Sequence, residues 1–313
     1  MPTVIPITSL ADDPRLHPYA NQRDAYLRAA HLRTIDDSAQ DSPQVDAVGG
    51  DPGLFVAEGE LVVRTLLHSA YEVRSLLVRE GHLAKFERDL HEMERTTRKP
   101  LPVFVASQHV MDEIVGFHIH RGVLACGCRK PSSQTAAATQ TAPDEERPAP
   151  SDWSETSLIA NARTLVLLED LSNHDNVGGI FRNIGCLCPV ERTAALLSPR
   201  CCDPLYRKSL RVSMGHALRV PFAQAVAWNA TLDHVEQAGF TIVAMETSQA
   251  AAPIAEVVWP ERVALVLGAE GPGLRRETIA GAGLRVRIPM APGADSLNVA
   301  TAAGIALSWM RLV

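Results

Sequence analysis

In the C-terminal half of this 313-residue chain, five continuous apolar runs alternate with amphipathic segments. Short, wholly apolar runs are typical of strands covered on both faces of a parallel sheet. The predicted strands are TLVLL (164–168), TAALL (193–197), TIVAM (241–245), VALVL (263–267) and LRVRI (284–288). Helices are predicted to begin near Val177, Pro204, Leu232, Arg275 and Leu297. Region 157–313 is therefore predicted to be an α/β domain with a mainly parallel sheet.

Region 54–130 alternates shorter strand patterns with helical ones. A charged helix is predicted at HLAKFERDLHEMERTT (82–97). A strand followed by a helix is predicted within LFVAEGELVVRTLLHSA (54–70), and further strands are predicted at VRSLLV (73–78), LPVFVA (101–106) and RGVLACGC (121–128). This pattern predicts a small N-terminal α/β domain.

Two polar stretches separate these regions. An N-terminal extension, 1–53, contains a short amphipathic helix pattern from Tyr26 to Leu32 and ends in a polar insertion, 36–53, with little to bury. Residues 131–156 are rich in Ser, Thr, Ala and Pro, which indicates a flexible interdomain linker.

The composition indicates a soluble globular protein, with 46% hydrophobic and 21% charged residues. The longest apolar runs are far too short to span a bilayer. The N-terminus shows no basic segment followed by an apolar core, so we expect a cytoplasmic location and no membrane partner.

Six cysteines without a secretion signal are expected to be reduced thiols. Their spacing is narrower than the usual C-x₂₋₄-C knuckle of structural zinc sites, so we predict small buried side chains and no metal. They form two C-x-C pairs and one adjacent pair: Cys126/Cys128, Cys186/Cys188 and Cys201/Cys202.

The net charge of −6 counts mildly against a nucleic-acid partner, because nucleic-acid-binding domains are commonly basic. Net charge averages over all faces of a protein, however, so a local basic patch stays compatible with it.

Three loops carry the candidate chemistry. The first follows the strand at 164–168 and leads through Asn176 and two glycines to Arg182. Asn176 and Arg182 are six residues apart and share a site only if the loop folds back. A simpler interpretation is that Asn176 caps the helix and Arg182 is a solvated charge.

The second loop runs from Gly268 to Leu274 after the strand at 263–267 and contains Glu270. Its glycines allow backbone to approach a ligand closely. The loop is neither the dinucleotide fingerprint nor a P-loop, and its carboxylate suits a cationic or hydroxyl-bearing ligand. A plain turn with a surface glutamate explains it equally well.

The third loop follows the strand at 284–288 and places Ser296 and Asn298 at the start of an Ala-rich helix. Unpaired N–H groups at a helix start can hold a ligand. The two side chains are also ordinary helix caps.

Taken together, the three loops match a known family. They read Asn176-Val-Gly-Gly-Ile-Phe-Arg182, then Gly-Ala-Glu-Gly-Pro-Gly-Leu from Gly268, then Ile288-Pro-Met290 followed by Ser296-Leu-Asn-Val299. This set resembles the SpoU (TrmH-like) family of the SPOUT class of RNA methyltransferases, over residues 158–313. The N-terminal region resembles, less specifically, a ribosomal-protein-like substrate-binding domain, on FVAEGELVV (55–63) and HRGVLA (120–125).

The resemblance implies a fold and partners. It implies a C-terminal SPOUT domain with a deep trefoil knot, a small N-terminal RNA substrate-binding domain at 54–130, and a homodimer through the C-terminal domain. The expected substrate is structured RNA, either tRNA or rRNA. Of the candidate RNA-binding residues, we expect fewer than about half to contribute. These candidates are Arg64, Arg74, Arg79, Lys85, Arg200, Arg207, Lys208 and Arg211.

The resemblance also implies an activity, the transfer of a methyl group from S-adenosylmethionine to a ribose 2′-hydroxyl. It assigns catalysis to Arg182, Asn176, Glu270, Ser296 and Asn298. It assigns cofactor binding to Gly268, Gly271, Ile288, Met290 and Leu297. Arg182 is a poor general base, because a guanidinium has a pKa above about 12. Either the site perturbs Arg182 strongly, or Arg182 orients phosphate and hydroxyl while charge leaves by another route.

Two alternatives stay open. An RNA-binding or ribosome-assembly factor that keeps the fold without the transfer would fail to bind S-adenosylmethionine. A nucleotide-dependent oxidoreductase on an ordinary parallel sheet would need a dinucleotide fingerprint near its first strand, and the sequence has none there.

Overall fold

The computed structural model describes residues 3–20, 53–116, 118–119, 121–129 and 153–312. The chain divides into two compact units. The first unit comprises Met1–Thr141 with Leu205–Leu218, and the second comprises Ala142–Pro204 with Arg219–Val313. The amphipathic pattern at Tyr26, the insertion at 36–53 and most of the linker at 131–156 lie outside the described residues.

The first unit contains a five-stranded mixed sheet in the order β1-β4-β3-β5-β2. Its strands are β1 (Thr3–Ile7), β2 (Leu54–Glu58), β3 (Val73–Arg79), β4 (Pro102–Ala106) and β5 (Val123–Cys128). Its helices are α1 (Glu60–Leu67), α2 (Glu87–Thr97) and α3 (Gln108–Val115). Strands β1, β3 and β4 pair in parallel, whereas β5 pairs antiparallel with both β2 and β3.

All four strands predicted in this region are confirmed, as are helix α1 after the first strand and the charged helix α2. Strand β1 and helix α3 were not predicted. Strand β1 contains Pro6, which lacks a backbone N–H and weakens the strand pattern. The sheet tolerates this proline because β1 is an edge strand that pairs with β4 alone.

A buried tyrosine closes one side of this unit's core. Tyr19 is 2% exposed, and its hydroxyl lies 2.7 Å from the hydroxyl of Ser75 and accepts the N–H of Cys126 at 3.2 Å. Burial is the main reason why the pKa of Tyr19 is raised well above its ordinary value. The N-terminal extension therefore takes part in the core of the first unit.

The second unit is built on a seven-stranded sheet in the order β10-β12-β9-β11-β6-β7-β8, and every pair in it is parallel. Its strands are β6 (Thr164–Leu168), β7 (Thr193–Leu197), β8 (Phe222–Gln224), β9 (Thr241–Met245), β10 (Ala252–Pro253), β11 (Val263–Leu267) and β12 (Leu284–Arg287). The predicted parallel α/β architecture is thereby confirmed, while the knot stays a prediction.

Helices α4 (Glu155–Asn161), α5 (His174–Leu187), α7 (Trp228–Gln237), α8 (Arg276–Gly281) and α9 (Val299–Leu312) belong to the second unit. Helix α6 (Arg207–Val212) lies between α5 and α7 in the chain but groups with the first unit. The predicted boundaries include α6 in the second domain, at 157–313, and do not separate it from that domain. The boundaries otherwise stay a prediction.

The five predicted apolar strands are confirmed almost to the residue. The short edge strands β8 and β10 were missed, because two or three residues carry no readable period. Helix starts were less accurate. Helix α5 begins three residues before Val177, and α4 begins at Glu155, inside the predicted linker.

Parallel pairing places the carboxyl ends of all seven strands at one edge of the sheet. The neighbouring strands β6 and β11 lead into residues 169–173 and 268–275, and β12 leads into residues 288–298. The three loops chosen from the sequence therefore leave the same edge of the second unit.

The cysteine prediction was only partly right. Cys126, Cys128 and Cys201 are buried, but Cys186 is exposed near the end of α5. None of the six cysteines, all within the described residues, forms a disulfide. Among the described helices, none combines the length and apolarity needed to cross a membrane.

Gly127 offers a test of packing in the first unit. A Cβ at this position would lie 2.5 Å from Cζ of Phe55, its partner in β2, which also packs edge-on against Tyr71. We expect Gly127→Ala to lower the free energy of unfolding by about 1–3 kcal/mol, since the ring has little room to move. Adding Phe55→Leu should recover part of that loss, and urea denaturation of the two single variants and the double variant would measure it. Additive losses would contradict the steric explanation.

Candidate active site at the carboxyl edge of the parallel sheet

Helix α5 carries the first candidate side chain inward. Its N-cap is Asn173, whose side chain accepts the N–H of Asp175 at 2.9 Å. Asn176 lies within the helix and is 4% exposed. The simpler interpretation of Asn176 as a cap is therefore wrong, because the cap lies three residues earlier and leaves the Asn176 amide available for tertiary contacts.

Three side chains, one from each of the three sequence motifs, are joined by a continuous row of hydrogen bonds. Asn298 donates from Nδ2 to Oδ1 of Asn176 at 2.8 Å, and Asn176 in turn donates from Nδ2 to the Glu270 carboxylate. Residues 122 and 94 positions apart in sequence thus meet. The structure brings Asn176, Glu270 and Asn298 together, as a shared site requires.

The donor and acceptor roles along this row of hydrogen bonds are fixed at both ends. Oδ1 of Asn298 accepts the N–H groups of Ala300 and Thr301 at 3.0 and 3.2 Å, which caps α9. Its Nδ2 must then donate toward Asn176, and a carboxylate at the other end can only accept. Asn298 is therefore both a helix cap and a member of the site, so the two interpretations of this residue are compatible.

The loop from Gly268 to Leu274 is held in a tight turn. A Cβ at Gly268 would lie 2.4 Å from backbone atoms of Gly273 and Leu274, so only glycine fits there. Gly273 donates its N–H to the carbonyl of Ala269 at 3.0 Å, and Gly271 and Gly273 have φ angles of +84° and +71°. The turn presents Glu270 as an exposed side chain above the sheet edge.

Helices α5 and α9 approach closely through small residues. A Cβ at Gly179 would lie 2.9 Å from that of Ala300, and one at Gly304 would lie 3.1 Å from the amide nitrogen of Asn183. Asn183 donates to the carbonyl of Ala300 at 2.6 Å. Asn176, Gly179 and Asn183 recur at helical spacing, which is the signal that would have revealed Asn183 and this packed face.

Two predicted catalytic residues do not join this group within one chain. Arg182 is exposed on α5, about 120° around the helix from Asn176. Ser296 is exposed in the loop before α9. Among the described contacts, none joins either residue to Asn176, Glu270 or Asn298.

The predicted cofactor-binding positions lie on two loops at this edge. Gly268 and Gly271 belong to the glycine turn, and Ile288 and Met290 follow β12. Leu297, 40% exposed, lies directly before the α9 cap. These positions are exposed or half-buried backbone turns, the kind of surface that backbone N–H and carbonyl groups offer to a ligand.

Several predicted RNA-binding residues are engaged by the protein itself. In the first unit, Arg64 donates to Asp89 at 2.5 Å and to the carbonyl of Lys85 at 2.6 Å, and stacks 5.2 Å above the Phe86 ring. Lys85 contacts Glu60 at 3.4 Å. These contacts give Arg64 a structural role.

The remaining candidates differ in their surroundings. Arg74 donates to the Cys128 sulfur at 2.9 Å, and Arg79 contacts His82 and Gln108. In α6, Arg207 is half-buried, whereas Lys208 and Arg211 are exposed.

Two consecutive carboxylates after β6, Glu169 and Asp170, were assigned no role from the sequence. Asp170 has a left-handed backbone, with φ of +59°, and contacts Arg200, Arg275 and Ser198. Hydrogen bonds from Arg200, then from Arg275 and Ser198, hold the pKa of Asp170 well below its ordinary value despite partial burial. A non-glycine residue with positive φ after a buried strand is invisible in sequence but is a marker of function in structure.

Within the described residues, no group of three or more His, Cys, Asp or Glu side chains is arranged to hold an ion.

Comparisons with known proteins agree with this geometry. Residues 163–308 match the model of the SpoU rRNA Methylase family. The chain is 39% identical over 256 residues to an uncharacterized tRNA/rRNA methyltransferase of Mycobacterium tuberculosis, covering 81% of this chain and 79% of that protein. A protein of the same description from Mycobacterium bovis matches equally.

Solved structures show the same fold. An AdoMet-bound rRNA methyltransferase from Sinorhizobium meliloti superposes with a TM-score of 0.66 at 21% identity, covering 99% of this chain and 98% of that one. A structure described as an RNA 2′-O ribose methyltransferase superposes with a TM-score of 0.62 at 22% identity, covering 99% and 100%.

Gly268 and Gly281 form a matched pair for testing the turn. We expect Gly268→Ala to destabilise the second unit by about 1–3 kcal/mol, because its Cβ would overlap backbone that cannot yield. Gly281→Ala, at the end of α8 with open space around it, should be neutral or stabilising by less than about 1 kcal/mol. Thermal unfolding of both variants would measure this, and equal effects would contradict the assigned turn geometry.

Proposed function

The chain belongs to the SpoU rRNA methylase family, and from that membership we propose that it transfers the methyl group of S-adenosylmethionine to a ribose 2′-hydroxyl of RNA. The observation that carries the proposal is the hydrogen-bonded chain from Asn298 through Asn176 to Glu270. It joins the three sequence motifs that define the resemblance.

The glycine turn and the loop after β12 are suited to the cofactor. Gly271 is exposed with open space around it, and the loop before α9 carries the half-buried Ile288 and Met290 and the exposed Leu297. Bound there, S-adenosylmethionine would supply a methyl group on a positively charged sulfur. The exposed carboxylate of Glu270 provides negative charge near such a cation.

The remaining polar groups act on the ribose. Methyl transfer breaks a carbon–sulfur bond as a carbon–oxygen bond forms, so it demands in-line alignment of the hydroxyl more than acid or base strength. Asn176 and Asn298 form a rigid pair of amides for this alignment. Arg182 orients an RNA phosphate through its planar fork, while the hydroxyl proton leaves to an acceptor other than the guanidinium.

We propose that a homodimer completes the site, because Arg182 and Asn176 lie on different sides of α5. One chain does not join them, but a second chain packed on α9 can supply the missing arginine. Two exposed apolar residues support a packed face here: Leu297 just before α9, 40% exposed, and Trp309 on α9, 37% exposed. The choice between tRNA and rRNA, the knot and the cytoplasmic location stay predictions.

Ribose methylation has a direct chemical test. Purified protein with S-adenosylmethionine should produce sites in cellular RNA that resist alkaline cleavage, since that cleavage needs a free 2′-hydroxyl. Arg182→Ala should lower the rate at least about 100-fold through lost orientation, and Arg182→Lys should recover only part of it. Labelled methyl that enters RNA without alkali resistance would indicate base methylation. No binding of S-adenosylmethionine in isothermal titration would favour the non-catalytic RNA-binding alternative.

Mixed dimers can test whether two chains complete each site. Asn298→Ser keeps a capping oxygen but removes the amide that donates to Asn176. A dimer of one Arg182→Ala chain and one Asn298→Ser chain should regain about half of the wild-type rate, because one of its two sites is intact. Differently tagged, co-purified chains allow this measurement. If the mixed dimer is as inactive as either parent, both residues act from one chain.

A further inference from the structure

A single residue closes the glycine turn at both ends. Glu169 directly follows β6, and its backbone N–H donates to the carbonyl of Leu267, the last residue before the turn, at 2.9 Å. Its carboxylate accepts the backbone N–H of Arg275, the first residue after the turn, at 2.6 Å. The seven residues from Gly268 to Leu274 are therefore spanned by one residue, which contacts one end of the turn through its backbone and the other through its side chain.

The Glu169 carboxylate is fully buried, with 0% exposure. Besides the Arg275 N–H it accepts Nε1–H of Trp228 at 2.6 Å and the Thr278 hydroxyl at 2.5 Å. These donors come from the start of α7 and from α8. A buried carboxylate is stable only when hydrogen-bond donors surround it. The positions of α7 and α8 are therefore fixed by the donors that they supply to Glu169.

The next residue holds the side chain of the same arginine. Asp170 accepts a two-pronged contact from Nε and Nη2 of Arg275, at distances of 2.8 to 3.1 Å, and a further contact from Arg200. Its left-handed backbone costs free energy, which is tolerated where the surrounding contacts over-determine the conformation. Arg275 is thus fixed through its backbone by Glu169 and through its guanidinium by Asp170.

From these two sets of contacts to Arg275 we infer that Glu169 and Asp170 are positioning residues. They hold the Gly268–Leu274 turn in the conformation that binds the cofactor, and they do not contact the cofactor themselves. The inference rests on the proposed function, since that function makes this turn part of the cofactor site. It predicts that cofactor affinity depends on a contact outside the cofactor site.

Asp170→Asn is the most informative variant. Asparagine tolerates the left-handed backbone but lacks the negative charge that pairs with the Arg275 guanidinium. We expect the dissociation constant of S-adenosylmethionine, by isothermal titration, to rise about tenfold, with kcat at saturating cofactor within about twofold of wild type. Amide hydrogen exchange at Gly273 and Arg275 should quicken by a similar factor, because the turn opens more often.

Glu261→Gln is the matched control. Glu261 pairs with Arg163, and these residues precede β11 and β6, so this ion pair joins the same two strands at their opposite ends. The control should leave cofactor affinity and exchange in the turn unchanged. If Asp170→Asn folds poorly, Thr278→Val tests the contacts of Glu169 instead, because it removes one donor to the Glu169 carboxylate with little change of shape.

Three results would overturn the inference: unchanged affinity and exchange in Asp170→Asn, equal effects in Glu261→Gln, or a fall in kcat with unchanged affinity. A melting temperature lowered without a change in affinity would mark Asp170 as merely structural. If the wild-type protein itself fails to bind S-adenosylmethionine, the proposed function is wrong, and the exchange measurement alone then decides whether the carboxylates hold the turn.

Discussion

The parallel pairing of β6 with β11 is the constraint on which the candidate site depends. Because the two strands run side by side in the same direction, the loops that follow them leave the sheet as neighbours. Asn176 and Glu270, which are 94 residues apart in sequence, can then share a hydrogen bond. Glu169 can likewise reach across to both ends of the glycine turn. An antiparallel pair would send the two loops to opposite edges and separate them.

The polar groups at this edge form two layers with different tasks. In the inner layer, the buried Glu169 accepts hydrogen bonds from the turn and the flanking helices, and the half-buried Asp170 accepts them from Ser198, Arg200 and Arg275. In the outer layer, Asn298, Asn176 and Glu270 hold one another in a fixed polarity but leave the Glu270 carboxylate exposed. Rigid support beneath exposed polar groups is what alignment of a reacting ribose requires, since alignment fails with small displacements.

Close helix packing makes the outer layer possible. Gly179 and Ala300 allow α5 and α9 to approach until Asn183 reaches the Ala300 carbonyl, and this contact places the N-terminus of α9 above Asn176. A larger side chain at either position would push the helices apart and stretch the contact between Asn298 and Asn176. The Ala-rich sequence of α9 therefore serves the site as well as the packing.

The sequence by itself determined the strands of the second unit and the three motif loops, because buried parallel strands are long enough to show as apolar runs and the loops contain distinctive glycines and amides. It could not place the short edge strands β8 and β10, the excursion of α6 into the first unit, or the cap at Asn173, because these depend on partners distant in the chain. Tertiary structure alone decided that Arg182 diverges from Asn176 and that Glu169 and Asp170 converge on Arg275. The physical reason is that helix phase and strand register, not residue type, set which side chains meet.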